Sequence, residues 1–277
     1  MVILLVLLFL SACAAAEIPP TPPVVLPTQT ITISPTLTST PAPPAPSATP
    51  PPTPNPTPEI CSPLSEYTLT QLTAQVSNPY NPPPLGSDEP HQGVDLAEFR
   101  PDSRVALAGM PVQAVLAGQV VGVIANRFPY GNSIIIETPL EGMNPGWVGR
   151  LNLPDALLGP LTGGPLSCPA YHEDWFGQQA RSLYLLYSHL QDTPLLKMDD
   201  PVTCGQTLGA VGESGNALNP HLHLEMRAGP AGSTFGSMAH YDLSASQEEM
   251  ATYCLWRVSG AFLPIDPFCV LTGCEKE

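Results

Sequence analysis

Basic residues are scarce in this chain. It carries 24 Asp and Glu but only 9 Lys and Arg, for a formal net charge of −15. Every one of the nine lies at Arg100 or beyond, scattered singly. Proteins that hold phosphate backbones group their Lys and Arg, so no nucleic-acid partner is expected. Long hydrophobic runs are lacking too. The apolar run at residues 2–10 is about half the ~20 residues that a membrane-spanning helix needs. No CxxC pair occurs, which disfavours a cysteine zinc site. GxSxG and P-loop strings are also absent, and no cysteine–histidine nucleophile pair is evident.

The chain does hold a short apolar leader followed by Leu10-Ser11-Ala12-Cys13. The leader fits the h-region of a secretory signal. The small residues before Cys13 resemble a bacterial lipobox, in which Cys13 is lipidated and becomes the mature N-terminus. One departure is the lack of Lys or Arg before the apolar run, where a signal normally carries positive charge. Residues 14–60 are almost wholly Pro, Thr, Ala and Ser, with Glu17 and Glu59 the two charges. Such a segment buries too little apolar surface to offset its ordering entropy. Proline biases it toward extended polyproline II, long enough to hold a domain up to ~140 Å from a membrane. Residues 61–277 are then expected to form one domain. With Cys13 set aside, the cysteines at 61, 168, 204, 254, 269 and 274 are even in number, and an exported chain uses such a set for disulfides. The spacing does not choose their pairing.

Within 61–277 the pattern is mostly β. Val112–Leu116 and Gln119–Ile124 are short β-branched runs around Ala117-Gly118 and read as a hairpin. Tyr130-Gly131-Asn132 reads as a turn into a strand at Ser133–Glu137. Further strands are expected at Ser182–Ser188, Gln206–Val211 and His221–Arg227. Ser246 and Glu249 form a capping box, which places a short helix near 247–257. Two stretches, 139–181 and 228–262, interrupt the strands, and loops this long usually carry function or structure of their own.

Five side chains carry the chemistry. In His221-Leu222-His223-Leu224-Glu225 the alternation of a strand puts both histidines and Glu225 on one face, with the two leucines in the core. One imidazole can then bind a metal while its neighbour reaches the metal's water. His91-Gln-Gly-Val-Asp95 adds an imidazole and a carboxylate, and Gly93 allows the tight turn that brings both ends to one ion. His91, Asp95 and His223 supply three ligands and leave the fourth tetrahedral position open, the mark of a catalytic zinc site. His189 follows an apolar strand and is the second non-ligand imidazole beside His221. His172-Glu173 begins like HExxH, but Phe176 stands where the second ligand belongs. His172 and His240 are both read as surface residues.

These strings resemble the M23 family of zinc metallopeptidases, the LytM and lysostaphin-like endopeptidases. The resemblance spans roughly 91–267. It rests on HQGVD at 91–95, YGNSIII at 130–136, YSHL at 187–190, GQTLG at 205–209, GESG at 212–215, PHLHLE at 220–225 and PIDP at 264–267, in the family's order. It implies an antiparallel β scaffold with a groove, here with two long loop insertions and one short helix. It implies Zn2+ on His91, Asp95 and His223, with His189 and His221 as the catalytic pair. The substrate implied is a peptide of bacterial peptidoglycan, cut in cross-bridges or stems. With the lipobox, the setting is the cell envelope outside the cytoplasm, on a membrane-held lipid. Two other readings share the fold: a LytM-like regulator or wall-binding module without activity, and a zinc peptidase acting on proteins. Degenerate relatives typically lose metal ligands, and none is lost here. The insertion at 139–181 follows a groove-bordering strand and is expected to wall the groove in.

Overall fold

The computed structural model describes residues 55–153, 166, 168–169 and 180–273. The leader, Cys13, most of the Pro/Thr-rich segment and His172 lie outside the described residues. The strands are β1 (Val76–Asn78), β2 (Val94–Leu96), β3 (Pro111–Gln113), β4 (Gly118–Arg127) and β5 (Gly131–Pro139). They continue with β6 (Arg181–Leu190), β7 (Pro201–Val202), β8 (Thr207–Ala210), β9 (Leu222–Pro230) and β10 (Leu263–Ile265). Eight of them form one antiparallel sheet in the order β1-β2-β9-β6-β5-β4-β7, with β10 beside β2 on the same edge of β9. The remaining two, β3 and β8, pair with each other. The fold is mainly antiparallel β with few helices, as the sequence predicts.

The centre of the sheet is apolar on both faces. Ile134 and Ile136 of β5 join Leu183, Leu185 and Tyr187 of β6 in one core cluster. Ile135, Tyr184 and Leu186 point the other way, into a second cluster with Phe235, Trp256 and Phe262. An antiparallel sheet commonly leaves one face to water. Here residues after β9 cover that face. Phe235 and Trp256 meet edge to face at 5.1 Å, and Tyr184 meets Phe262 in the same way at 5.3 Å. Such pairs add about 0.5–1.5 kcal/mol each beyond the area they bury.

Among the described residues, each of the two interrupting stretches carries an α-helix. Helix α1 (Pro145–Arg150) begins where the Asn144 side chain accepts from the Trp147 amide, and Trp147 is buried. Helix α2 (Gln247–Arg257) carries the Ser246–Glu249 capping box expected from sequence, with both halves formed. The sequence signals α2 but not α1, whose six residues are too few to show a helical period. Disulfides join Cys61 to Cys204 and Cys168 to Cys254, and Cys269 is disulfide-bonded as well.

The hairpin expected between 112 and 124 is not present. β3 turns away to pair with β8, while β4 pairs with β5 on one side and β7 on the other. Both runs have strand character, but β-branched composition does not say which strand pairs with which. The true hairpin is β4–β5, turned at Phe128–Tyr130.

Candidate metal centre

β2 and β9 run antiparallel with Asp95 opposite His223. That register puts the carboxylate and the imidazole side by side. Asp95 Oδ1 lies 2.7 Å from His223 Nδ1 and 3.2 Å from His91 Nε2, and the two ring nitrogens are 3.2 Å apart. These three residues form a group able to hold a metal ion.

The far side of each group is already engaged. His91 Nδ1 donates to the Pro79 carbonyl at 2.9 Å, which leaves Nε2 to face the other two. His223 Nε2 donates to Glu225 Oε1 at 3.0 Å, so Nδ1 faces them. Asn78 Nδ2 donates to Asp95 Oδ2 at 3.2 Å, leaving Oδ1 inward. Orienting partners of this kind fix the tautomer and aim of metal-binding side chains. The donor set, two imidazoles and a carboxylate, suits Zn2+. The residues present therefore fit the ion.

Charge follows the same contacts. Burial alone would raise the pKa of Asp95, but hydrogen bonds from His223 and His91 hold it far below the usual carboxylate range. Burial opposes protonation of His223, yet its bonds to Asp95 and Glu225 raise it to about 9. A cation shared by the three inward atoms would take the place of that proton.

His189 and His221 stand next to this group. Their ring centroids are 4.8 Å apart, and His189 is 5.7 Å from His223. His221 Nε2 is 3.6 Å from Asp95 Oδ1. Each Nδ1 is tied to a backbone carbonyl: His189 to Ser214 at 2.7 Å and His221 to Asn219 at 2.8 Å. Burial first, and then the charges of His223 and His221, lower the pKa of His189 to about 3, so its ring is neutral at pH 7.

The backbone is shaped around His189. Its φ of 61° is left-handed, a conformation that costs a non-glycine residue of order 1–2 kcal/mol and recurs at functional sites. The GESG string supplies the support. Ser214 Oγ donates to the Leu190 carbonyl at 2.7 Å and accepts from the Asn132 amide at 2.8 Å. A Cβ on Gly131 would stand 2.3 Å from Ser214 Oγ, so the YGN turn and the GESG loop can touch only because that residue is glycine.

The role expected of Gly93 changes. Its φ is not in the left-handed region; what it supplies is space. A Cβ there would lie 2.8 Å from His223 Cε1 and 2.7 Å from the Leu224 carbonyl. His221 precedes β9 and is held in an isolated bridge to Gly212. His223, Leu222 and Leu224 fall as strand alternation predicts, the leucines in the core.

All five side chains line one groove of about 890 Å³. Tyr241, Tyr253 and Arg257, from the stretch after β9, line it too. Of the stretch between β5 and β6, no described residue does. His240, read as a surface residue, is instead buried, its amide donating to the Phe128 carbonyl and its ring 5.2 Å from Tyr253. The sequence offered no signal for Arg257, whose role comes only from where α2 packs.

Comparison with solved structures gives several similar chains. The catalytic domain of a prophage-encoded M23 protein, EnpA, from Enterococcus faecalis, solved as a point mutant, is 21% identical. The match covers 57% of this chain and 84% of that one, with a TM-score of 0.33. The catalytic domain of the antimicrobial peptidase lysostaphin from Staphylococcus simulans is 21% identical over 58% of this chain and 86% of that one, with a TM-score of 0.34. A zinc-containing peptidase from Vibrio cholerae is 23% identical over 55% and 32%, with a TM-score of 0.30. Residues 176–235, which hold β6 with His189 and β9 with His223, match the model of Peptidase family M23, the family that the sequence motifs resemble.

Proposed function

We propose that the chain is a zinc-dependent endopeptidase that hydrolyses peptide bonds in bacterial peptidoglycan, held at a membrane by lipid on Cys13. The observation that carries the reading is the division of five side chains in one groove. Three turn their inward atoms on a common point, and two imidazoles stand beside them with one nitrogen each uncommitted to backbone.

His91 Nε2, Asp95 Oδ1 and His223 Nδ1 would hold the ion. Zinc held there would supply Lewis acidity, to the scissile carbonyl and to the attacking water near neutral pH. His189 and His221 do the remaining work. Each keeps Nδ1 on a carbonyl, so Nε2 is the atom that accepts or gives a proton. A neutral His189 accepts, and either ring, once protonated, can donate to the leaving amine. The ring that has taken up that proton also donates to charge developing on the carbonyl oxygen before passing the proton on. The groove walls orient the peptide and exclude water.

Purified chain with its full zinc complement should release soluble peptides from isolated cell wall, and mass spectrometry of the products gives the bond cut. Intact peptidoglycan after prolonged incubation would refute the reading. The lipid is tested separately, by the mass of the N-terminal peptide and by membrane partition of Cys13→Ala.

A further inference from the structure

Glu225 sits one strand period beyond His223 and is wholly buried. Besides His223 Nε2, its carboxylate accepts from Tyr130 Oη at 2.8 Å, Arg227 Nε at 3.0 Å, Trp256 Nε1 at 2.8 Å and Arg257 Nη1 at 2.7 Å. Two of these donors, Trp256 and Arg257, come from the last turn of α2. The other edge of the Arg257 guanidinium reaches a different part of the chain. Its Nε pairs with the Asp88 carboxylate, and its Nη2 donates to the Asp88 carbonyl at 2.7 Å. Tyr253, one turn earlier on α2, donates to Asp88 Oδ2 at 2.9 Å, and Tyr241 donates to the same oxygen at 2.7 Å. Asp88 stands three residues before His91. Gln92, just after His91, donates to the Asp88 carbonyl at 3.2 Å and accepts from Arg227.

We infer that Arg257 is a positioning residue for the metal centre, joining the carboxylate that orients His223 to the segment that carries His91. The inference rests on the proposed zinc reading of that site. The stretch 228–262 is then more than a wall of the groove. It brings one guanidinium to a point where two ligand segments, 132 residues apart at His91 and His223, are fixed relative to each other. The planar fork of arginine suits this, because it can hold two carboxylates at once in set directions. Lysine offers a point charge and no fork. Two carboxylates, Glu225 and Asp88, face two guanidiniums, Arg227 and Arg257, so the buried group balances its charge. Loss of an orienting partner outside the ligands typically costs roughly 10- to 100-fold in metal affinity.

The test measures zinc dissociation constants by chelator competition, with the visible spectrum of the cobalt-substituted protein as a second readout. Both use the whole chain. Arg257→Met should weaken zinc about 10- to 100-fold and shift the cobalt bands. Arg257→Lys should recover only a small part of that loss. Leu255→Ala, which thins the packing of α2 without touching the network, should leave zinc affinity and the cobalt spectrum unchanged. If Arg257→Met does not fold, Tyr253→Phe decides, since it removes one hydroxyl from Asp88 and keeps the ring. It should weaken zinc severalfold. Unchanged affinity and spectrum in the folded variants overturn the inference, as does an equal effect in Leu255→Ala. Wild type that binds zinc and digests cell wall while Arg257→Met does both equally well overturns this inference alone. Wild type that binds no zinc overturns the proposed function instead.

Discussion

Gly93→Ala is the smallest change that should damage the metal centre. The added methyl would sit 2.7 Å from the Leu224 carbonyl, 2.8 Å from His223 Cε1 and 2.9 Å from His223 Nε2. Carbon atoms rest at about 3.5–4.0 Å, so something must move by more than half an ångström. Leu224 is a poor candidate, because it pairs with Val94 in the β2–β9 ladder. The methyl presses on the His223 ring at Cε1 and Nε2, and Nε2 is the atom that Glu225 holds. Overpacking at a site this tight costs ~1–3 kcal/mol of stability. The ring rotates or the strands part, and either movement takes His223 Nδ1 out of line with Asp95 Oδ1. Zinc affinity should fall by roughly tenfold or more. Gly149→Ala is the control, as a Cβ there meets nothing within 4 Å. Chelator competition and a thermal melt read both effects. If Gly93→Ala keeps wild-type zinc affinity while Gly149→Ala does too, steric support of His223 by a bare backbone is the wrong explanation of that glycine.

Three further outcomes follow from the same contacts. His223→Ala should release zinc, whereas His189→Ala should keep it and lose ~10²- to 10⁴-fold in turnover; metal content and peptide-release rates measured together check the split, and equal zinc in wild type and His223→Ala would sink the ligand assignment. Glu249 has its pKa lowered to about 2, where burial alone would raise it, by the Ser246 amide and by Arg127, which it meets at 2.7 Å. Its contribution is thus present above its unfolded pKa of about 4.3 and lost as pH falls through the folded value. The melting-temperature gap between wild type and Glu249→Gln should be widest near neutral pH and should close by about pH 2; a constant gap across a pH series would refute it. Replacing Cys61 and Cys204 together by serine opens a loop spanning 143 residues and should cost ~2–4 kcal/mol, read as a lower urea midpoint, with no loss of zinc from a site that this pair does not touch.

How much of this was legible in the chain depends on the range of the interaction. Leu222 and Leu224 bracket His223 within one strand, so a two-residue period suffices to put the leucines in the core and the imidazole on the other face. The capping box at Ser246 and Glu249 is equally local and equally readable. Pairing is not local. Val112 and Val120 have the same β-branched surroundings, yet one belongs to the small sheet and the other to the large one. Nor does local sequence give Arg257 its partners, since Asp88 lies 169 residues away. A signal for the covered second face did exist. Ile134-Ile135-Ile136 and Leu183–Tyr187 are continuous apolar runs rather than alternating ones, which is how a strand buried on both faces reads. Together with Phe235, Trp256 and Phe262 further along, they announce a second core that the loop at 228–262 must supply.

That second core bears on the chemistry. A carboxylate with the burial of Glu225 would ordinarily protonate, and a protonated Glu225 is a poorer acceptor for His223 Nε2. Burial does push its pKa up, but Arg227 and Arg257 outweigh burial and hold it well below the usual range. Arg227 belongs to β9 itself, so a bare sheet would keep one of the two guanidiniums. Arg257 is present only because α2 is packed against the sheet by Trp256, Phe235 and Phe262. Strip that helix away and the Glu225 carboxylate loses two donors and faces water, where an ion pair with Arg227 contributes little. The apolar packing and the buried charges are therefore one device. The aromatics hold α2 down, α2 brings Arg257 and Trp256 to Glu225, and Glu225 sets the direction in which His223 presents its nitrogen.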